Sequence, residues 1–567
     1  MWWWRVYAAL VFLLIAASIY TLSVSVWRGP WRDMWEVAPF LEKAMTGAAG
    51  WSDYWEQYGF SHRPLMSRWF WVADLRWFSG SNHLLLAISL LMQALIFFVV
   101  RAVLLRDSTF TLQQRRIVLL GVVFCLLNIT QAFNFLHTFD VQWFLVTGLC
   151  VFSLASILYA AESRNIIYLA VGWLAIFLAS LNNFSGLVMW PVAMLLLIGL
   201  RFSFRHVLIF FMAFCAYLPV YFYQLIPTDR HAPTSIYTQV SFWQWIQFSV
   251  LVLVKFPLSY LSNPLSYQLS TSGPLRASLW LSWLAPGAMC CLLLAAARCW
   301  WLGVFRIKKF SSVVWLGLAL MLFGYGVGVA TAIGRIVFWD NVYALRYQNI
   351  VLLFWIGVVL WFAGSVRWRN MGLVLGSVLL LVVFATQVGW YHDLTLKTGN
   401  RTRNAHLALV VGLEDQLSAI SATVSRSHLG KDSTYTLQRE AAFLRARHTG
   451  AFADPAWSNF PALLSLQLSP VCATEIAGSD VRGSDDSYAR LSIAFREPVS
   501  YDVIVWYDNS DVFSGLLIAA AADTWWQRLH QSLHGFTDYV GFAKQLPKQK
   551  PVAVFARTGE RWCRLVV

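Results

Sequence analysis

Two carboxylates stand three residues apart in RDMWEV, Asp33 and Glu36, just beyond the first long apolar run. That spacing puts both on one face if the segment is helical. At a membrane edge such a carboxylate can deprotonate an acceptor hydroxyl, or hold a metal or an amine beside a phosphate leaving group. The plainer reading makes Asp33 the cap of an interfacial helix, compensating its dipole. Further along, SHRP sets His62 beside Arg63 ahead of a helix. A guanidinium binds phosphate through paired hydrogen bonds, and an imidazole can donate to the same oxygens. A cationic anchor among lipid headgroups is the plainer alternative. Asp74 follows in RWFWVADLRWF, an amphipathic stretch expected in the interface, with Arg68 or Arg76 as a structural partner.

Two polar turns come next. QAFNFLHTFDVQW carries Gln131, Asn134, His137, Asp140 and Gln142, and LNNFSGLVMWP carries Asn182 and Asn183. Groups of this kind at a span junction suit a cavity wall that reads sugar hydroxyls. They could equally satisfy frayed backbone at helix ends. TAIGR and ALRYQN bring Arg335, Arg346 and Tyr347 to a short late loop. Arginines held there against the topological bias suit a lipid pyrophosphate or monophosphate; pairing with Asp33 or Asp340 is the bland account. There is no Walker-type loop, HExxH, CxxC or GxSxG, which argues against an ATP-driven machine, a zinc protease and a serine hydrolase.

The elements that must position these residues are membrane spans. Of the 567 residues 58% are hydrophobic and 13% charged, outside the soluble range, and long apolar runs recur to about residue 391. Tryptophans, tyrosines and phenylalanines flank many of the runs, as interfacial belts do. The spacing predicts about 11 transmembrane helices, near 6–26, 84–104, 116–134, 141–161, 166–182, 186–201, 207–226, 278–298, 313–332, 348–366 and 371–391. The first is read as a retained helix rather than a signal peptide, because no small-residue cleavage site follows it. The net charge of +15 does not imply nucleic acid, since the Lys and Arg lie in short loops where topology explains them. With the N-terminus inside, those loops are internal, and loop 27–83, the two polar turns, loops 227–277 and 333–347 and everything after 391 are external. Segment 242–261, interrupted by Lys255 and Pro257, is expected to re-enter rather than span.

Beyond residue 391 the pattern changes. Residues 392–469 are expected to be a helical segment, and 470–567 a small β-sandwich of short alternating strands. Six of the eight cysteines lie in or beside apolar spans, whereas Cys472 and Cys563 bracket the polar C-terminal segment. A disulfide between those two is expected, which requires an oxidising compartment.

With these motifs assembled, the chain resembles the GT-C superfamily of integral-membrane glycosyltransferases, and most closely a set of bacterial members. RDMW matches their Asp just outside the first helix. SHRPLMSRWFWVADLRWFSGSN resembles their HR-containing stretch, with Ser61 where an acidic residue is usual. QAFNFLHTFDVQW, LNNFSGLVMWP and TAIGR with ALRY resemble their three later turns. The resemblance implies a bacterial inner-membrane protein with a cytoplasmic N-terminus and a periplasmic C-terminal region. It also implies a polyprenyl-phosphate-sugar donor, a glycan or lipid-linked acceptor, and an extracytoplasmic active site. Asp33 would be the base, accompanied by Glu36. His62, Arg63, Arg335, Arg346 and Tyr347 would face the donor phosphate, and Gln131, Asn134, Asp140, Gln142, Asn182 and Asn183 the sugar or acceptor. No cofactor is expected; a divalent cation such as Mg is the disfavoured alternative. Membrane lipids and other envelope-assembly proteins complete the expected partners, and nucleic acid is not among them. A flippase for a lipid-linked glycan, or a polymerase or assembly subunit, remains the alternative. A transporter usually carries ionisable groups at mid-span, whereas here they crowd the outer ends.

Overall fold

The computed structural model describes residues 3–25, 34, 37–58, 62–223, 249–262, 279–305, 310–335, 345–365, 369–370, 373–374, 377, 442–453, 470–472 and seven strands within 476–565. Most of the expected span at 371–391, most of the 392–469 helical segment, Asp33, Glu36 and Ser61 therefore lie outside the described residues.

The described chain is mostly helical. Its helices are α1 (Trp3–Ser25), α2 (Ala38–Thr46), α3 (Trp51–Trp55), α4 (Leu65–Trp77), α5 (His83–Arg106), α6 (Leu112–Leu126), α7 (Ala132–Leu136) and α8 (Val141–Ser163). They continue with α9 (Ile166–Ser180), α10 (Met189–Gly199), α11 (Phe204–Phe222), α12 (Phe256–Leu261), α13 (Leu279–Val304), α14 (Ser312–Arg335) and α15 (Gln348–Gly364). Among the described residues, seven helices are long and apolar enough to cross a membrane: α1, α5, α6 continued by α7, α8, α11, α13 and α14. Four shorter apolar helices accompany them, at Ile166–Ser180, Phe184–Gly199, Leu251–Leu261 and Gln348–Gly364.

Local chemistry sets the breaks between helices. Thr111 caps α6, its hydroxyl accepting from the Gln114 amide at 3.2 Å while the Gln114 side chain accepts from the Thr111 amide at 3.1 Å. Asn128, Asn165 and Asn183 each turn a side-chain oxygen onto the amide two residues ahead, ending one helical run and starting the next. The segment from 251 begins as a π-helical turn, Leu251–Lys255, and continues as α12, all six residues of which are buried.

Packing within the bundle relies on small residues. A Cβ on Gly317 of α14 would sit 2.6 Å from the Gly357 carbonyl of α15, and one on Gly357 would sit 2.7 Å from the Gly317 carbonyl. The two backbones touch, which is how helices associate in lipid without a hydrophobic drive between them.

The bundle has two polar ends. At one, Arg369 donates to the Thr109 carbonyl and hydroxyl, Gln114 donates to Asn370 at 2.9 Å, Arg201 donates to the Val304 carbonyl at 2.9 Å, and Ser312 bonds Glu162. At the other, the segment 37–82 is seated on the helix ends. Under it lies a second apolar core that includes Phe40, Trp71, Leu75 and Phe139 with Leu444 and Phe452. The Gly450 amide donates to the Ser79 carbonyl at 2.7 Å. Gly80 has φ +65°, and a Cβ there would meet the Gly450 amide nitrogen at 3.3 Å, so only glycine suits this crossing.

The C-terminal strands are β1 (Ile476–Asp485), β2 (Tyr488–Val499), β3 (Val503–Tyr507), β4 (Phe513–Ala519), β5 (Phe536–Lys544), β6 (Ala553–Thr558) and β7 (Arg561–Leu565). They form one antiparallel sheet in the order β1-β2-β5-β4-β3-β6-β7. Where two facing sheets were expected, the described strands make a single sheet. Alternation reports that one face is covered and is silent on what covers it. Cys472 and Cys563 are disulfide-bonded, with Cα atoms 5.0 Å apart, tying the segment 470–472 to β7.

Candidate functional site at the loop-bearing end of the bundle

The first loop is bound to the bundle chiefly through backbone carbonyls. Arg63 is 2% exposed; its Nε donates to the Tyr221 carbonyl at 2.7 Å, Nη1 to the Trp55 carbonyl at 2.6 Å, and Nη2 to the Tyr223 carbonyl. Its guanidinium also lies 5.2 Å from the Trp55 ring. The donor fork expected to hold a phosphate is thus engaged in joining the loop to the end of α11. Arg68 repeats the pattern on the carbonyls of Asp53, Tyr54 and Glu56, at 2.8, 2.9 and 2.7 Å. Burial pushes Arg68 down to about 10, which leaves it cationic at neutral pH.

Asp74 pairs with neither Arg68 nor Arg76. Its carboxylate accepts the backbone amides of Asn82 at 3.0 Å and Leu84 at 3.1 Å, closing the start of α5. A helix start offers unpaired amides and a positive dipole end, and a buried acid satisfies both. Burial raises its carboxyl to about 6 against the pull of the two amides.

His62 sits where the loop meets the second polar turn. Its Nδ1 accepts from the Phe184 amide at 3.4 Å, and its ring stands 6.2 Å from Trp143. Nearby, Ser67 donates to Asn182 at 3.1 Å, and Asn182 donates to the Leu178 carbonyl at 2.9 Å. Asn183 donates to Gln142 at 3.3 Å. In the first polar turn His137 Nδ1 and Asp140 Oδ2 are 2.8 Å apart and both residues are buried. The Thr138 hydroxyl reaches Asn82 at 3.0 Å. Asp140, Asn182, Asn183 and Gln142 are thus partnered within the protein.

Gln131 and Asn134 belong to a different group. Asn349 Oδ1 accepts from Gln93 Nε2 at 3.1 Å and from Gln131 Nε2 at 3.4 Å; Asn134 Nδ2 donates to Gln131 Oε1 at 3.1 Å; Asn349 Nδ2 donates to the Thr147 hydroxyl at 3.2 Å. These five residues come from α5, the 3-10 turn Ile129–Gln131, α7, α8 and α15, and all are buried. Several buried atoms in and beside the network have no hydrogen-bond partner among the described residues: Gln93 Oε1, Asn134 Oδ1, Thr130 Oγ1, Tyr260 Oη and both amide atoms of Gln348. Each such orphan costs about 1–3 kcal/mol. Tyr347 lies between, its ring 5.9 Å from Trp143 and 5.3 Å from Tyr260, with the Arg346 guanidinium 5.5 Å from its face.

Of the remaining expected residues, Arg335 closes α14 with its side chain outside the described set, and Asp33 and Glu36 lie outside it altogether. Among the described residues no three His, Cys, Asp or Glu side chains converge on a metal position. Gln93, Tyr260, Gln348 and Asn349 were not singled out by sequence. Gln93 alone carried a signal, as the one amide within the apolar run of α5.

Comparison with family models, with curated proteins and with solved structures finds no match for this chain.

Proposed function

We propose that this chain is an integral-membrane glycosyltransferase of the GT-C kind, moving a sugar from a polyprenyl-phosphate donor to a cell-envelope glycan or lipid-linked acceptor. In this reading it has about 11 spans, lies in a bacterial inner membrane, and works on the extracytoplasmic side. The acceptor hydroxyl oxygen bonds to the anomeric carbon as the bond from that carbon to the phosphate oxygen breaks. Polyprenyl phosphate departs with the electron pair, Asp33 takes the hydroxyl proton, and the anomeric configuration inverts. Positioning and charge stabilisation carry most of the rate. No metal is required, a divalent cation being the disfavoured alternative.

The observation that carries the reading is the buried, uncharged hydrogen-bonding network around Asn349, sunk about 15 Å below the start of α5. It is suited to a hydroxylated ring and is not a proton relay, since amides and a hydroxyl do not titrate. That favours transfer over proton-coupled transport. The motif resemblance and the Asp33 and Glu36 carboxylates that follow the first apolar run in sequence support the same reading.

The test is the surface-glycan mass profile of cells carrying wild-type protein, no protein, or Asp33→Asn. A difference of one sugar unit, lost equally in the null and in the Asn variant, is the expected result. A folded Asp33→Asn variant with a wild-type profile overturns the assignment of Asp33 as the base.

A further inference from the structure

The network around Asn349 has an unbalanced set of atoms. Each of its four amide nitrogens gives one internal bond: Gln93 and Gln131 give to Asn349, Asn134 gives to Gln131, and Asn349 gives to Thr147. The two atoms left over inside it, Gln93 Oε1 and Asn134 Oδ1, are both acceptors. A phosphate or carboxylate only accepts, so neither can complete them. Thr130 Oγ1, Tyr260 Oη and the whole amide of Gln348 add groups that can give or take. Gln93 lies about 15 Å along α5 from its start, at 1.5 Å per residue, so the group is sunk below the loop rather than spread on its surface.

We propose that Gln93, Asn134, Gln348 and Tyr260 form a subsite for a neutral, hydroxyl-bearing sugar ring, separate from whatever group holds the donor phosphate. The proposal rests on the glycosyltransferase reading and deepens it by assigning the sugar to this network. The ring donates hydroxyl hydrogens to Gln93 Oε1 and Asn134 Oδ1, and exchanges bonds in both directions with Gln348 and Tyr260. The Tyr260, Tyr347 and Trp143 rings follow one another at 5.3 and 5.9 Å and belong to one buried apolar cluster. The hydroxylated ring could belong to the lipid-linked donor or to the acceptor glycan.

The test uses full-length protein in lipid nanodiscs and calorimetric titration. The probes are farnesyl-phosphate glucose, galactose, mannose and N-acetylglucosamine, farnesyl phosphate alone, and the corresponding methyl glycosides. At least one sugar-bearing probe should bind about tenfold more tightly than its sugar-free counterpart, a preference that Gln348→Leu and Tyr260→Phe each cut back most of the way to parity. Preference among the lipid-linked probes places the donor sugar here; variant-sensitive binding of a methyl glycoside alone places the acceptor sugar. Tyr260→Phe removes a single oxygen, and its unchanged melting temperature guards against misfolding as the cause. Equal binding of farnesyl phosphate and every sugar-bearing probe, with no glycoside bound, overturns the proposal. So does a preference untouched by both variants. Asp33→Asn separates the two ideas: it should keep the sugar preference while losing the glycan product. A lost product without any sugar preference removes only the subsite, and a sugar preference with an unchanged glycan profile removes only the transfer.

Discussion

The Nε of Arg63 donates to the carbonyl of Tyr221 at 2.7 Å, joining the first loop to the end of a helix 158 residues later. A motif that reads as a phosphate ligand is here a clasp. Arg63→Ala should lower stability by about 3 kcal/mol, because one buried and two partly buried carbonyls lose their donor. Arg63→Lys should recover little, lacking the planar fork. Thermal unfolding in detergent checks this. A variant with wild-type stability but weakened binding of farnesyl phosphate would restore the phosphate role.

Asp74 gives the loop a pH dependence. Its folded carboxyl titrates near 6, above its ordinary 3.8. The native state therefore holds the proton more tightly than the unfolded chain. The stabilisation is fully present below about pH 4 and is lost as pH rises through 6, amounting to about 3 kcal/mol at most. Melting temperature measured from pH 4 to 7 should show this fall, and Asp74→Asn should flatten it. An unchanged slope in the Asn variant would assign the dependence to another group.

The contact between Gly317 and Gly357 leaves no room for a side chain. Gly317→Val should cost about 1–3 kcal/mol or more by forcing α14 and α15 apart. Gly287, with nothing within 4 Å of its Cβ position, should tolerate alanine. Comparing the melting curves of the two variants tests whether the effect belongs to the contact or to glycine content.

The Cys472–Cys563 bond closes a loop of 91 residues. On the chain-entropy account such a closure stabilises by about 4–5 kcal/mol. The paired substitution to serine should make the C-terminal sheet markedly more sensitive to limited proteolysis while leaving the helical bundle intact, as fragment masses would show. Equal resistance of both proteins would mean the sheet is held by its pairing alone.

Sequence pattern reached the seven long apolar helices among the described residues, because long apolar runs have few other structures open to them. It reached Gln131 and Asn134 through the density of polar residues in their turn. It missed Gln348 and Asn349, which open a helix and look like ordinary caps, and Tyr260, one aromatic among many. Their significance depends on pairings such as Gln93 with Asn349, 256 residues apart, which no local periodicity encodes. The role of Arg63 was hidden for another reason. Its partners are main-chain carbonyls, and every residue has one of those.

The hydrogen bond from Gly450 to Ser79 also has a topological meaning. Two residues within bonding distance at the membrane face lie in the same compartment, so the chain between them crosses the bilayer an even number of times, whatever that number is. A crossing by α1, which is long and apolar enough for one, separates this compartment from Trp3. The start of the chain and the segment around Gly450 should thus face opposite compartments. Impermeant thiol reagents on intact cells can read this from Ser79→Cys and His448→Cys, which should label together, against a cysteine placed at Arg5, which should not.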